Sequence, residues 1–247
     1  MASRLGMMGA AAAVALSMMA IPAAAQSAPE NRWSLTFGAG TAPSVSGIYH
    51  EGGSGTVLGL ATKVEERNWS DIYNSGFAMR AGIGYAVTSQ LEITGSYFYS
   101  RQDPEELSVG TVATLDLRSL FGDYRDWGLE GGLRWHFTPD AGVSPFVGAA
   151  AGFRRVDAMP ATFSVPAANV VLPGTPFYDE STVPTFGADF GVRFAVAPRV
   201  RLGVEGALRW TGNLSDVEGL AGTGLENLND SSSRWTLPIL GTLTVKF

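Results

Sequence analysis

Charged residues recur at alternate positions inside segments that are otherwise apolar or glycine-rich. Arg80 stands in FAMRAGIGYAV, Glu92 in LEITGSYFYS, Glu130 and Arg134 in WGLEGGLRWHF, and Arg154 closes PFVGAAAGFR. Asp189 and Arg193 follow in TFGADFGVRFAV, then Arg201, Glu205 and Arg209 in VRLGVEGALRW, and Lys246 in WTLPILGTLTVKF. Guanidinium and carboxylate groups gathered on one face can pair into a hydrogen-bonded ionic network. Alternatively they can line a path for ions, and seven cations against four carboxylates would then favour anions. Acid–base chemistry has fewer candidates, because the chain holds two histidines and no cysteine. A thiolate nucleophile and a Cys-based metal site are therefore excluded. His136 belongs to the alternating series and suits a neutral partner in the ionic network. His50, beside Glu51 and close to Ser54 in YHEGGSG, has the ingredients of a hydrolytic site, although a Ser- and Glu-rich loop supplies the same residues by composition.

The elements that hold these residues are written in the composition. Of 247 residues, 45% are hydrophobic and 16% charged, the latter below the roughly 25% of soluble domains. The net charge of −6 and the lack of a basic patch exclude a nucleic-acid partner. Residues 1–25 differ from the rest: Arg4, then LGMMGAAAAVALSMMAIP, then small residues before Gln26. That order predicts a secretory leader cut between Ala25 and Gln26, leaving a single domain over 26–247. No later stretch is apolar for long enough to cross a bilayer as a helix.

From Arg32 onward the chain alternates. Trp33, Leu35, Phe37 and Ala39 are apolar where Ser34, Thr36 and Gly38 face the other way. The same period of two runs through the charged segments named above, so eight strands of about ten residues are predicted, each long enough to cross a bilayer when tilted. TSQ, TPDAG and APR join alternate pairs tightly, whereas 41–75, 102–126, 157–182 and 212–233 are long and polar. Short turns on one rim and long loops on the other describe an all-β, eight-stranded, antiparallel up-and-down transmembrane barrel.

Aromatic residues sort by height in that arrangement. Trp33, Tyr85, Trp135, Phe137, Phe194 and Phe247 fall near the periplasmic rim. Phe77, Tyr97, Tyr99, Trp127, Phe153, Phe186, Trp210 and Trp235 fall near the outer rim. A soluble β-sandwich also alternates but has no reason to sort aromatics this way. The charged face then points into a narrow lumen whose interleaved glycines make room for arginine side chains. Phe98, Phe146 and Leu240 are inward in this register and scattered.

With RDWGLEGGLRWHF and SPFVGAAAGFRRVD on one continuous pattern, the chain resembles the small eight-stranded outer-membrane barrels of the OmpA transmembrane domain, OmpX and opacity-protein type. The resemblance implies a bacterial outer-membrane location and a monomeric barrel surrounded by lipid and lipopolysaccharide. It also implies a last strand whose Phe247 is read by the insertion machinery. With nothing after that strand, the peptidoglycan-binding domain of full-length OmpA relatives is expected to be missing. The expected role is non-enzymatic, in envelope integrity or surface interaction through the long loops, with no cofactor and no metal site. A narrow channel is the alternative, and a lipid A-modifying enzyme stands third. Because TVLGLATKVEE inside 41–75 suggests an additional hairpin, a ten-stranded barrel is the structural runner-up.

Overall fold

The computed structural model describes residues 32–57, 59–139, 141–215, 222–230 and 232–247. The expected leader and its cleavage point at Ala25 and Gln26 lie outside the described residues. Strand β1 (Trp33–Thr41) opens the barrel wall. The first long connection then carries β2 (Ser44–Ser46), β3 (Ile48–His50), the hairpin of β4 (Gly53–Val57) and β5 (Leu60–Val64), β6 (Arg67–Asn68) and a single helical turn, α1 (Trp69–Ile72). Wall strands β7 (Phe77–Ala86) and β8 (Leu91–Gln102) follow, then an external hairpin of β9 (Leu107–Val112) and β10 (Leu115–Phe121). Next come wall strands β11 (Tyr124–His136) and β12 (Val143–Val156), and a second external hairpin of β13 (Met159–Val165) and β14 (Val170–Tyr178). The chain finishes through β15 (Ser181–Ala197), β16 (Val200–Thr211), β17 (Arg234–Thr236) and β18 (Ile239–Lys246).

Eight of these strands close on themselves, all antiparallel, in the order β1, β7, β8, β11, β12, β15, β16, β18 and back to β1. The seam is held to its end: Trp33 N–H donates to the Phe247 carbonyl at 3.1 Å, and Phe247 N–H returns the bond at 2.9 Å. Closure leaves no backbone edge toward lipid, which a hydrocarbon environment requires. Apolar side chains of every wall strand face outward and stay exposed, among them Leu35, Phe37, Ile83, Ile93, Leu129, Val147, Phe190 and Leu243. Aromatic neighbours meet across strands at both rims, with Trp33 4.9 Å from Tyr85 below and Phe186 4.9 Å from Trp210 above.

Two expectations need correction. The hairpin that suggested ten strands exists as β4–β5, but it pairs with β9 outside the wall, so the barrel has eight strands. The last strand is not continuous either. Pro238 has no N–H to donate, and the ladder breaks at Leu237–Pro238 between β17 and β18. Both neighbouring groups find other partners: Leu237 N–H bonds the Pro43 carbonyl at 2.9 Å, and the Pro238 carbonyl accepts from Ala207 N–H at 3.0 Å.

Above the wall, the long connections are folded rather than loose. β14, β13, β10, β9, β5 and β4 form a six-stranded sheet, and β3 pairs with β6 beside it. This external cap has its own core of Tyr49, Trp69, Tyr73, Phe121, Phe177 and Tyr178, all nearly sealed from solvent. The Tyr49 ring lies at the centre, 4.7 Å from both Trp69 and Phe121. Arg234 enters from β17, its guanidinium 4.1 Å from the Trp69 ring centre and 3.8 Å from that of Tyr124. Desolvated cation–π contacts of this kind contribute up to about 2 kcal/mol, so wall and cap are joined by packing as well as by chain.

Inward glycines set how closely strands approach. A Cβ at Gly187 would lie 1.8 Å from the Leu208 carbonyl oxygen, whereas one at outward-facing Gly131 meets nothing within 4 Å. Gly187→Val is expected to cost at least about 3 kcal/mol and to lower sharply the fraction that refolds into detergent. Gly131→Ala should refold like the parent; the comparison is read by the gel mobility of unheated samples.

Candidate functional site

The strand register brings the predicted charges together inside the barrel and adds one carboxylate to them. Five arginines (Arg80, Arg134, Arg154, Arg193, Arg209) and five carboxylates (Glu92, Asp126, Glu130, Asp189, Glu205) are buried there. Glu130 is the hub. Arg209 Nη2 approaches its Oε2 at 3.1 Å, Arg154 Nη2 its Oε1 at 3.2 Å, and Arg80 lies 3.7 Å away. Asp189 takes Arg209 at 2.7 Å and Arg80 at 3.6 Å. Glu205 accepts from Arg134 at 2.7 Å and also pairs with Arg80. Toward the outer end, Asp126 holds Arg154 at 2.8 Å and accepts from the Ser100 hydroxyl. Toward the periplasm, Glu92 accepts from Ser34 at 2.7 Å, meets His136 Nε2 at 3.0 Å and Arg193 Nη1 at 3.4 Å.

The surplus of positive charge expected from sequence is absent from this network. Asp126 was placed at the edge of a loop, although Asp126, Gly128 and Glu130 continue one inward series on β11. Arg201 and Lys246 are only half-buried, and Arg201 donates to the Pro139 carbonyl at 2.6 Å. Paired charges tolerate burial; unpaired ones shift or forbid it. Spaces of about 30, 10 and 20 Å³ remain between the side chains, each room for about one or two waters. Phe98 and Leu240 are not scattered: they pack with Ala42 and Ala78 into one small apolar plug, over which Arg154 stacks 4.1 Å from the Phe98 ring centre. Phe146 lies deeper, between the guanidinium groups of Arg134 at 4.6 Å and Arg193 at 5.1 Å.

The hydrolytic trio of the first connection is not assembled. His50 is sealed in the cap at 2% exposure, with Tyr49, Phe121 and Phe177 around its ring. Its Nδ1 lies 3.2 Å from the Glu51 carbonyl oxygen and its Nε2 has no partner, while Ser54 faces solvent. Burial lowers the His50 pKa to about 4. Among the described residues, no group of three or more His, Asp or Glu side chains converges in a way that would hold a metal ion.

Two stability tests follow from this geometry. Glu130→Gln removes the shared partner of Arg80, Arg154 and Arg209 and should cost about 3–5 kcal/mol in urea unfolding from lipid vesicles; Glu130→Gln combined with Arg209→Met should recover part of that loss. For His50, the unfolded chain binds a proton below its ordinary value of 6.5, while the folded cap resists until about 4. Stability of the cap should therefore fall as pH drops from 6.5 to 4, by about 3 kcal/mol in all, and not change further through this group below that range. His50→Gln should flatten the slope, read by amide exchange in the cap strands.

The family comparison agrees with this architecture. A family model described as outer membrane protein beta-barrel domain matches residues 11–232. Similar solved structures include Neisserial surface protein A, at 17% identity and a TM-score of 0.47 over 87% of this chain and 97% of that one. OprG from Pseudomonas aeruginosa is similar at 10% identity and a TM-score of 0.42, covering 88% and 97% of the two chains. The outer membrane protease OmpT from Escherichia coli is similar at 12% identity and 0.41, covering 89% and 97%. These likenesses are too distant to bear on activity, and no curated protein matches the chain. A closed eight-stranded wall, a lipid-facing apolar belt and a family match over most of the sequence lead to one assignment: the chain belongs to the outer membrane protein β-barrel domain family and resides in a bacterial outer membrane.

Proposed function

We propose that this protein is a non-enzymatic outer-membrane barrel whose lumen is a structural plug and whose folded external cap is its working surface. The observation that carries the reading is the pairing of all five buried lumen arginines with carboxylates, between which spaces of about 30, 10 and 20 Å³ remain. Such a lumen offers no continuous path, whereas the cap presents a sheet on a rigid aromatic core. A catalytic role would need a base within reach of a nucleophile or water. His50 is enclosed by aromatic rings, and His136 is engaged with Glu92.

The surrounding partners are outer-membrane lipid and lipopolysaccharide, with a single copy of the chain as the working unit. Outward arginines Arg101, Arg125 and Arg155 each lie two residues beyond an outer-girdle aromatic (Tyr99, Trp127 and Phe153) and are about half exposed. Although each pairs with a carboxylate, each keeps N–H donors at the height of lipid phosphate groups. During biogenesis, the alternating β18 strand is the segment offered to the insertion machinery.

Single-channel recording of the refolded barrel in a planar bilayer tests the plug. A silent bilayer is expected, with folding confirmed in the same preparation, and Arg209→Ala should lower stability without producing defined conductance steps. Reproducible openings of the parent protein, altered in size or selectivity by Arg209→Ala, would overturn the reading in favour of a channel.

A further inference from the structure

The periplasmic mouth of the lumen differs from the balanced network above it. Among the described residues, a space of about 30 Å³ is lined there by Arg32, Arg193 and Arg201 together with Glu92. Glu92 is already engaged: one oxygen accepts from Ser34, and the other meets His136 and Arg193 Nη1. Arg193 is 2% exposed, yet its Nε and Nη2 have no hydrogen-bond partner. Directly across the β12–β15 ladder stands Ser144, fully buried, its hydroxyl also without a partner. An arginine keeps its charge at any ordinary pH. Leaving two of its N–H-bearing nitrogens and a hydroxyl donor buried and unpaired would cost several kcal/mol.

We infer that this mouth is a binding site for a small monovalent anion of halide size, seated between the Arg193 guanidinium and the Ser144 hydroxyl. Size and charge both narrow the ligand. The space admits an object of about one or two water volumes, which excludes a bulky organic anion from the inner position. A water molecule could accept the same bonds, but the charge of Arg193, with Arg32 and Arg201 beside it among the described residues, makes an anion the better occupant. Gly203 lies opposite Arg193 on β16, and a Cβ there would come within 3.3 Å of the Arg193 side chain. The arginine is thus threaded over a glycine to reach this position. The site is a dead end, separated from the outer face by the ion-pair network and the Phe98–Leu240 plug. An anion there would supply the acceptor that Arg193 and Ser144 lack rather than pass through the barrel.

The test uses the refolded, full-length mature barrel with bromide as the probe. Crystals equilibrated with sodium bromide are expected to show an anomalous peak between Arg193 and Ser144. In parallel, thermal unfolding in sodium chloride should have a higher midpoint than in sodium gluconate at equal ionic strength, as linkage to a bound anion requires. Ser144→Ala, which keeps every charge, should weaken the apparent chloride affinity about tenfold, by loss of one charge-assisted hydrogen bond. Arg193→Gln should abolish the chloride-specific gain. If Arg193→Gln fails to fold, the wild-type bromide map and Ser144→Ala still decide. A map with water alone at this position, or with bromide spread over exposed arginines and none here, would overturn the site. So would identical midpoints in chloride and gluconate.

Discussion

In hydrocarbon no backbone N–H or carbonyl can turn to water, and this single constraint organises the molecule. β1 must find β18, and the exchange of bonds between Trp33 and Phe247 shows the ladder paired to its end. Once eight strands close, the radius is set, and the interior is only wide enough for side chains to fill. Every second residue must then suit lipid, and every other residue must suit a narrow enclosed space. The outward row of Leu, Ile, Val and aromatic residues answers the first demand. The arginine–carboxylate network answers the second, with glycines such as Gly187 and Gly152 giving the long side chains somewhere to lie.

Ion pairs are an odd choice if stability were the only issue. Well-packed apolar side chains of similar volume would hold the interior as well or better. The difference lies in register. A strand apolar on both faces could slip by one residue with little loss, because either face would serve lipid. Arg209 on β16 can meet Glu130 and Asp189 only in one alignment, and Arg80 meets Glu130, Asp189 and Glu205 from the far side. A one-residue slip would present a guanidinium to the bilayer. The network therefore specifies which way each strand faces and how strands sit beside one another, even where its net contribution to stability is small.

This also explains what was legible in the sequence. The period of two is imposed by lipid on one side, so β7, β8, β11, β15 and β16 could be read with their facing and nearly their ends. The inward parity of Arg134, Asp189, Arg193 and Glu205 came with it. Asp126 carries the same parity, two steps before Glu130, but a polar connection read as 102–126 ends on it. The cap was legible only as separate hairpins, TVLGLATKVEE among them, and not as one folded unit, for a different reason. No lipid imposes a pattern on it, and its strands are short and interrupted by Gly and Pro, as in Val170–Tyr178. Its core collects Tyr49, Trp69, Phe121 and Phe177 from separate connections that meet only once the barrel has placed them side by side. Likewise, Pro238 breaks a strand whose alternation continues unaltered on either side.

The two ends of the barrel therefore answer to different solvents, and that asymmetry bears on function. At the outer end, the wall runs on into the cap: β15 extends to 17 residues, and Arg234 of β17 is inserted between Trp69 and Tyr124. Tyr178 O–H bonds the Tyr49 carbonyl, and Asn229 Nδ2 donates to the Phe177 carbonyl at 2.7 Å, tying separate connections together. Segments fixed in this way have already lost their conformational freedom during folding, so a partner meeting them gives up less entropy than one that must order loose loops. At the periplasmic end the described residues form short turns, with cationic side chains around a shallow space. A conduit would need both ends open to each other. Paired charges midway and a pre-organised external face are what support the proposed role in presenting a surface over that of a conduit.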